Sequence, residues 1–364
     1  MNVHFKHMLK TRKLTKLSVL LFSITGAIIM LFTTCSTADR KADPNSHIKT
    51  MQSPQYKDGK FTSGKEVLNM GPKEWVTSSW RFLFERNNQT PDNQLPVQPA
   101  NLSLFNAMDN TGLNSTWIGH SSLLINISGY KVLTDPVFET RVSLVGPTRY
   151  NGDAPIDPKL LTDIDAVIIS HDHYDHLNKA TIQGLVLETK IFIMPLGVGK
   201  RLVKWGVPAD KIHEMDWWEN IILGSNLTIT ATPAQHFSGR GIFDRNSTLW
   251  ASWVIQTHEH NLFFSGDSGY FEGFKKIGER FGPFDVTFME CGAYDKLWSG
   301  VHMFPEETVK AHMDVKGKVL HPIHWGTFNL ALHPWYDPMT RIEKAAGQHN
   351  ITLATPIAGQ TIEY

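Results

Sequence analysis

The chain is poor in cysteine, with two among 364 residues, Cys35 and Cys291. That scarcity excludes a disulfide framework and a cysteine-rich zinc scaffold. Neither sign of charge is in excess, with 35 basic and 35 acidic side chains, so no electrostatic case exists for a nucleic-acid partner. Internal repeats and low-complexity blocks are missing too. What the chain does have is 41% hydrophobic residues, enough for a large packed core and too many for a disordered polymer. It also has 17 histidines, and histidine is the commonest metal ligand.

Acids are absent before Asp39, while Lys6, Lys10, Arg12, Lys13 and Lys16 precede an apolar run from Leu17 to Phe32. A basic segment followed by an apolar one is the pattern of an export signal. The run ends Leu31-Phe32-Thr33-Thr34-Cys35-Ser36, which resembles the lipobox of a bacterial lipoprotein, with Phe32 and Thr34 as departures. The resemblance implies a signal peptide over residues 1–35, a lipidated Cys35 and a membrane-anchored body in the bacterial cell envelope, outside the cytoplasm. An uncleaved N-terminal anchor helix is the alternative, though the run is shorter than the ~20 residues a spanning helix needs. Without the five leading bases the remainder carries 30 basic and 35 acidic side chains. Residues 36–100 read as a polar tether, with the aromatic patch Trp75, Trp80, Phe82 and Phe84 as a short helix docking onto the body.

From Ser115 onward short β-like runs appear at 116–118, 123–127, 131–134, 166–170, 191–194, 227–231, 250–256, 261–265, 285–289 and 318–320. The first follow one another like hairpins. Later ones alternate with helical stretches, such as one beginning near Asn178 and another over 305–315. The succession predicts a layered α/β body over 101–364, not a wholly parallel doubly wound sheet.

One cluster carries chemistry. The apolar run Ala166-Val167-Ile168-Ile169-Ser170 ends in His171-Asp172-His173-Tyr174-Asp175-His176. In extended backbone His171 and His173 project to the same side and can share an ion. The turn toward the following helix re-aims Asp175 and His176 at a neighbouring position. Three more candidates, His236, Asp267 and His324, each follow an apolar run, and strand ends are where α/β sites collect. Each alone has an ordinary reading as a core or turn residue.

These segments resemble the metallo-β-lactamase superfamily, whose signature is His-x-His-x-Asp-His with later His, Asp and His. Further segments resemble its branch of N-acylphosphatidylethanolamine-hydrolysing phospholipases D: Trp117-Ile118-Gly119-His120-Ser121, Leu133-Thr134-Asp135-Pro136, Thr232-Pro233-Ala234-Gln235-His236, Phe264-Ser265-Gly266-Asp267-Ser268-Gly269-Tyr270 and His324-Trp325-Gly326-Thr327-Phe328. The resemblance implies a four-layer αβ/βα sandwich with a dinuclear site. It places His171, His173 and His236 on one ion, Asp175, His176 and His324 on the other, and Asp267 between them. Zinc suits this donor set, with iron or manganese as alternatives. Asp135 would accept the second ring N–H of a ligating histidine and fix its tautomer. His302 falls at a substrate-side position of the branch, where it would stabilise the transition state or protonate the departing alkoxide. His120 reads as mainly structural.

The implied reaction is phospholipase D-type hydrolysis, with a metal-bridging hydroxide releasing N-acylethanolamine from N-acylphosphatidylethanolamine. A hydrolase of a soluble phosphodiester or lactone is the rival reading, and a non-catalytic metal-containing envelope protein a more distant one. Glu290-Cys291 and Ser238-Gly239-Arg240 depart from the branch at positions expected to contact substrate.

Overall fold

The computed structural model describes residues 44–364 apart from 65–71, 86, 107–110, 145 and 242. The segment expected to be an export signal, with its apolar run and Cys35, lies outside the described residues. No helix among those described is long and apolar enough to cross a membrane.

A small hairpin, β1 (Tyr56–Lys57) with β2 (Lys60–Phe61), precedes two seven-stranded sheets. The first contains β3 (Leu113–Gly119), β4 (Ser122–Ile127), β5 (Tyr130–Thr134), β6 (Ile164–Ile168), β7 (Thr189–Pro195) and β8 (Ile212–Met215) in chain order. The second contains β9 (Asn220–Leu223), β10 (Leu227–Thr232), β11 (Ser252–Gln256), β12 (Asn261–Phe264), β13 (Phe284–Glu290), β14 (Gly317–Ile323) and β15 (Thr352–Leu353). Its order is β15-β14-β13-β12-β11-β10-β9. The last strand, β16 (Thr361–Glu363), returns to the first sheet and pairs antiparallel with β3.

Local sequence explains the direction of each strand. β4 and β5 are joined by Ser128-Gly129, both at positive φ, with Asn126 Oδ1 accepting the Gly129 N–H at 3.0 Å. Such a two-residue turn closes an antiparallel hairpin. From β5 onward the strands of the first sheet run parallel, and helices Lys179–Leu185 and Gly199–Trp205 make the crossovers. Asn178 caps the first, its Oδ1 accepting the Thr181 N–H at 3.0 Å, so that helix starts where the sequence places it. The helix expected over 305–315 spans Pro305–Asp314, and Glu307 receives the Phe304 N–H at 2.9 Å.

Alternation builds the layers. Ala166 and Ile168 face the space between the sheets, where they meet Ile229, Trp253, Leu262, Phe264 and Phe288. Val167 and Ile169 point the other way, onto Ile182 and Leu185 of a crossover helix. In the second sheet Phe263 turns outward onto Phe274 and Ile277. Each large apolar side chain removed from water contributes about 1.5–3 kcal/mol. The result is helix, sheet, sheet, helix, as the sequence resemblance implies.

The tether reading needs correction. Helix Pro44–Gln52 is tied to the body by Lys49, whose Nζ donates to the Glu214 carbonyl at 2.9 Å, and the β1–β2 hairpin packs on it. Phe61 is fully buried among Leu196, Leu249 and Trp250, and its N–H donates to the Asn246 carbonyl at 2.8 Å. One buried aromatic in a polar stretch leaves no periodicity to detect. The aromatic patch does form a helix, Pro72–Phe84, tied down by Arg81 to Asp295 at 3.1 Å. Val76, Trp80 and Phe84, however, face solvent.

Candidate metal centre

Each of the seven expected ligands, and Asp135, follows the carboxyl end of a strand. β5 delivers Asp135, and the loop after β6 delivers His171, His173, Asp175 and His176. His236 follows β10, Asp267 follows β12 and His324 follows β14. Within each sheet these donor strands run in the same direction, so their ends gather on one edge of the sandwich. Gly266, at φ +53, makes the turn before Asp267. A Cβ there would stand 2.5 Å from that of Ser170.

The structure brings all seven candidate ligands together in two adjoining groups. His171, His173, His236 and Asp267 place one ligand atom each within 4.8 Å of one another. Asp175, His176 and His324 form the second group, together with His120. Asp267 Oδ2 reaches both, lying 3.1 Å from the Nε2 atoms of His176 and His324 and 3.8 and 3.7 Å from those of His171 and His236. All but His173 and Asp175 are buried by solvent exposure.

Hydrogen bonds behind the rings fix which nitrogens face the centre. Asp135 is completely buried and accepts from Ser170 N and Ser170 Oγ, both at 2.6 Å, and from His176 Nδ1 at 2.7 Å. The Ser170 hydroxyl proton is thereby committed to Asp135, so Ser170 Oγ accepts from His171 Nδ1, 2.9 Å away. His236 Nδ1 donates to the Val301 carbonyl at 2.9 Å. His171, His176 and His236 therefore all turn Nε2 inward as a lone pair. His171 Nε2 lies 2.8 Å and His236 Nε2 3.3 Å from His173 Nδ1. Nitrogen lone pairs packed this closely call for a shared proton or a cation.

Electrostatics give the same requirement. Burial and the neighbouring imidazoles push His171 and His236 well below the usual imidazole range. Burial also opposes charge on His324, but Asp267 and Asp175 outweigh it and hold His324 up at about 10. His176 is likewise raised against its burial, by Asp267, Asp175 and Asp135. The carboxylates thus demand positive charge at the position the nitrogens face. His176 Nε2, His324 Nε2 and Asp267 Oδ1 are buried without a hydrogen-bond partner, which is rare for polar atoms unless something else binds them. Imidazole nitrogen with carboxylate oxygen is a donor set that zinc, iron and manganese all accept.

His302 stands beside the centre, its ring 5.1 Å from His236 and 5.2 Å from His324, and one of its nitrogens falls within 4.8 Å of ligand atoms of Asp267 and His324. His120 is closer than sequence reasoning placed it. Its Nε2 is 2.9 Å from Asp175 Oδ2, and its carbonyl accepts the His324 N–H at 3.1 Å. The signal was partly available, because His120 also follows a strand, Leu113–Gly119, though one of mixed polarity. Arg240, expected at a substrate-contacting position, instead braces the ligand loop: its Nη1 donates to the carbonyls of Asp172 at 2.9 Å and Leu177 at 2.6 Å. Cys291, from the other departure, is fully buried in the core against the outer helices. Beside His324 a small pocket is lined by Tyr150, Trp325, Phe328, Leu330, His333 and Trp335.

Residues 130–325 match the model of the Beta-lactamase superfamily domain. The chain is 41% identical over 321 residues to an uncharacterised protein of Mycobacterium tuberculosis, covering 86% of this chain and 85% of that one. It is 32% identical over 307 residues to N-acyl-phosphatidylethanolamine-hydrolyzing phospholipase D 1 of Caenorhabditis elegans, covering 78% and 85%. Among solved structures the fold is similar to Igni18, a metallo hydrolase of Ignicoccus hospitalis, with TM-score 0.54 at 21% identity over 70% of this chain and 99% of that one. The chain belongs to the metallo-β-lactamase superfamily. It is a metal-dependent hydrolase with histidine–aspartate clusters able to bind metal, and it is homologous to phospholipases D that act on N-acylphosphatidylethanolamine.

Proposed function

We propose that this protein is a dinuclear phosphodiesterase of the phospholipase D type that releases N-acylethanolamine from N-acylphosphatidylethanolamine. The observation that carries the reading is Asp267, whose Oδ2 stands between two groups of inward-facing imidazoles. His171, His173 and His236 would hold one divalent cation, Asp175, His176 and His324 the other, with Asp267 shared; zinc is the first choice. Bound there, the cations would supply a water of lowered pKa and positive charge beside the group attacked. Asp135 and Ser170 keep two ligand rings in the tautomer that binding needs. His302 faces the same space and would meet the leaving oxygen of the substrate. The choice of lipid rests on the Caenorhabditis elegans relative.

The amino-terminal sequence adds a location: an envelope protein tethered through Cys35 or an N-terminal anchor, with its centre near a bilayer. The deciding measurement compares N-acylphosphatidylethanolamine in mixed micelles with a short soluble phosphodiester and a lactone, using full-length protein of known metal content. Two bound ions, fastest cleavage of the lipid, and loss of turnover on chelation and in Asp267→Ala are expected. Faster cleavage of the soluble diester or the lactone replaces the lipid with that substrate. Full activity after complete metal removal overturns the dinuclear reading.

A further inference from the structure

Glu290 ends β13 with its side chain fully buried beside the centre. Among the described residues its carboxylate has no lysine or arginine ion-pair partner, and its one such contact is His302, with Oε2 3.4 Å from Nδ1. Oε1 receives the Met303 N–H at 2.7 Å. The backbone of Glu290 is pinned as well: its N–H donates to Ser265 Oγ at 2.9 Å, and its carbonyl accepts from Thr308 Oγ1 at 2.8 Å. A carboxylate this fixed is a rigid reference point for whatever it touches.

It touches one short turn. Residues 301–303 are tied to the body in succession: Val301 through its N–H to Trp298 and its carbonyl to His236, His302 through its ring to Glu290, and Met303 through its N–H to Glu290. Burial pushes the Glu290 carboxyl up and the neighbouring His302 pulls it back. In its ionised form it only accepts hydrogen bonds, so its contact with Nδ1 puts the ring proton there and leaves Nε2 for the side facing Asp267 and His324. A buried acid is costly to keep unless it is bonded to something that needs it, and no purely structural partner is present beyond one backbone N–H.

We propose that Glu290 is a positioning residue that sets the tautomer and ring orientation of His302 toward the reacting group. The kinetic consequence rests on the hydrolase reading above; the orientation itself does not. The sequence marks Glu290 as a departure from the branch but not the role, because the fold alone brings it to His302.

The test uses the full-length, metal-loaded chain with Glu290→Gln, His302→Gln and the double variant. Glutamine matches the volume and still accepts from Met303, but it presents N–H groups toward His302. Expected in Glu290→Gln are unchanged metal stoichiometry, a KM for micellar N-acylphosphatidylethanolamine within about twofold, and a kcat at least about tenfold lower, a fraction of what a positioned proton-transfer group contributes. In the His302→Gln background the same change should cost less than about twofold, because the residue it positions is gone.

A second readout needs no turnover. Nitrogen NMR of histidine-labelled protein should place the His302 proton on Nδ1 in the parent and shift it in Glu290→Gln. Equal kcat losses in both backgrounds, loss of metal from Glu290→Gln, or a bare Nδ1 in the parent would each overturn the proposal. If Glu290→Gln does not fold, Glu290→Asp keeps the charge and shortens the reach, and the same comparisons apply. A parent protein that does not cleave micellar N-acylphosphatidylethanolamine refutes the phospholipase D reading, while the NMR comparison still decides the orientation.

Discussion

Replacing Asp135 by asparagine tests the reasoning about ring tautomers most directly. The carboxylate accepts three hydrogen bonds within 2.7 Å, and no water reaches it. Asparagine has nearly the same volume but offers one acceptor atom. With its oxygen toward Ser170 N, its amide hydrogens point at His176 Nδ1–H and the Ser170 hydroxyl. Ser170 must then turn its proton toward His171 Nδ1, which moves the His171 proton to Nε2, among the nitrogens that face the centre. His176 loses its acceptor and its alignment. Two of the ligand nitrogens are compromised by exchanging one oxygen for NH2.

Loss of such a supporting partner lowers metal affinity about 10–100-fold, which corresponds to about 1.4–2.7 kcal/mol. An unsatisfied buried N–H also costs about 1–3 kcal/mol of fold stability. The assay is titration of metal-free parent and Asp135→Asn protein with Zn²⁺ against a chromophoric chelator, with thermal unfolding of both metal-free proteins alongside. If Asp135→Asn binds two equivalents with affinities within twofold of the parent, the tautomer chain from Asp135 through Ser170 to His171 is wrong.

Three other expectations follow, the first two independent of the metal. Burial holds His312 down at about 4, while its ordinary value near 6.5 applies in the unfolded chain; stability is therefore fully present above pH 6.5 and falls toward pH 4 as the unfolded state takes up the proton, by on the order of 3 kcal/mol. His312→Gln should flatten that acid limb in urea melts across pH 4–7, and an unchanged slope would rule out this assignment. Phe61→Ala should cost about 3–5 kcal/mol in denaturant unfolding of the full chain, whereas a tether would lose nothing. Gly266→Ala puts a methyl group 2.5 Å from the Ser170 Cβ, so metal stoichiometry should drop below two; retention of both ions would show that the turn before Asp267 yields cheaply.

Sequence carried the centre better than the periphery, for physical reasons. Apolar strands buried on both faces read as near-continuous hydrophobic runs, and polar ligands directly after them stand out. His171, His236, Asp267 and His324 were all legible that way. β8, β9 and β16 were not, because short edge strands of mixed polarity, such as Ile212–Met215 with its burial only partial, lack that contrast. Phe61 escaped for a similar reason, since a lone anchor carries no period. Arg240 and Glu290 stood out as departures from the family pattern, but whether an arginine turns inward to carbonyls or outward to substrate is decided by tertiary packing. His120 was undervalued although it obeys the same strand-end rule as the others.

The donors divide between the sheets: His171, His173, Asp175 and His176 come from the first, and His236, Asp267 and His324 from the second. Cations seated among them would rivet the halves of the sandwich across their seam, so occupancy becomes a mechanical property of the whole domain. At free metal one hundred times the dissociation constant, one such site adds about 2.7 kcal/mol against unfolding. Starved of metal, the sheets keep apolar contact and a few hydrogen bonds along that edge, such as Arg240 to the Asp172 carbonyl and His324 N–H to the His120 carbonyl, and the edge that loses most is the one that carries the chemistry.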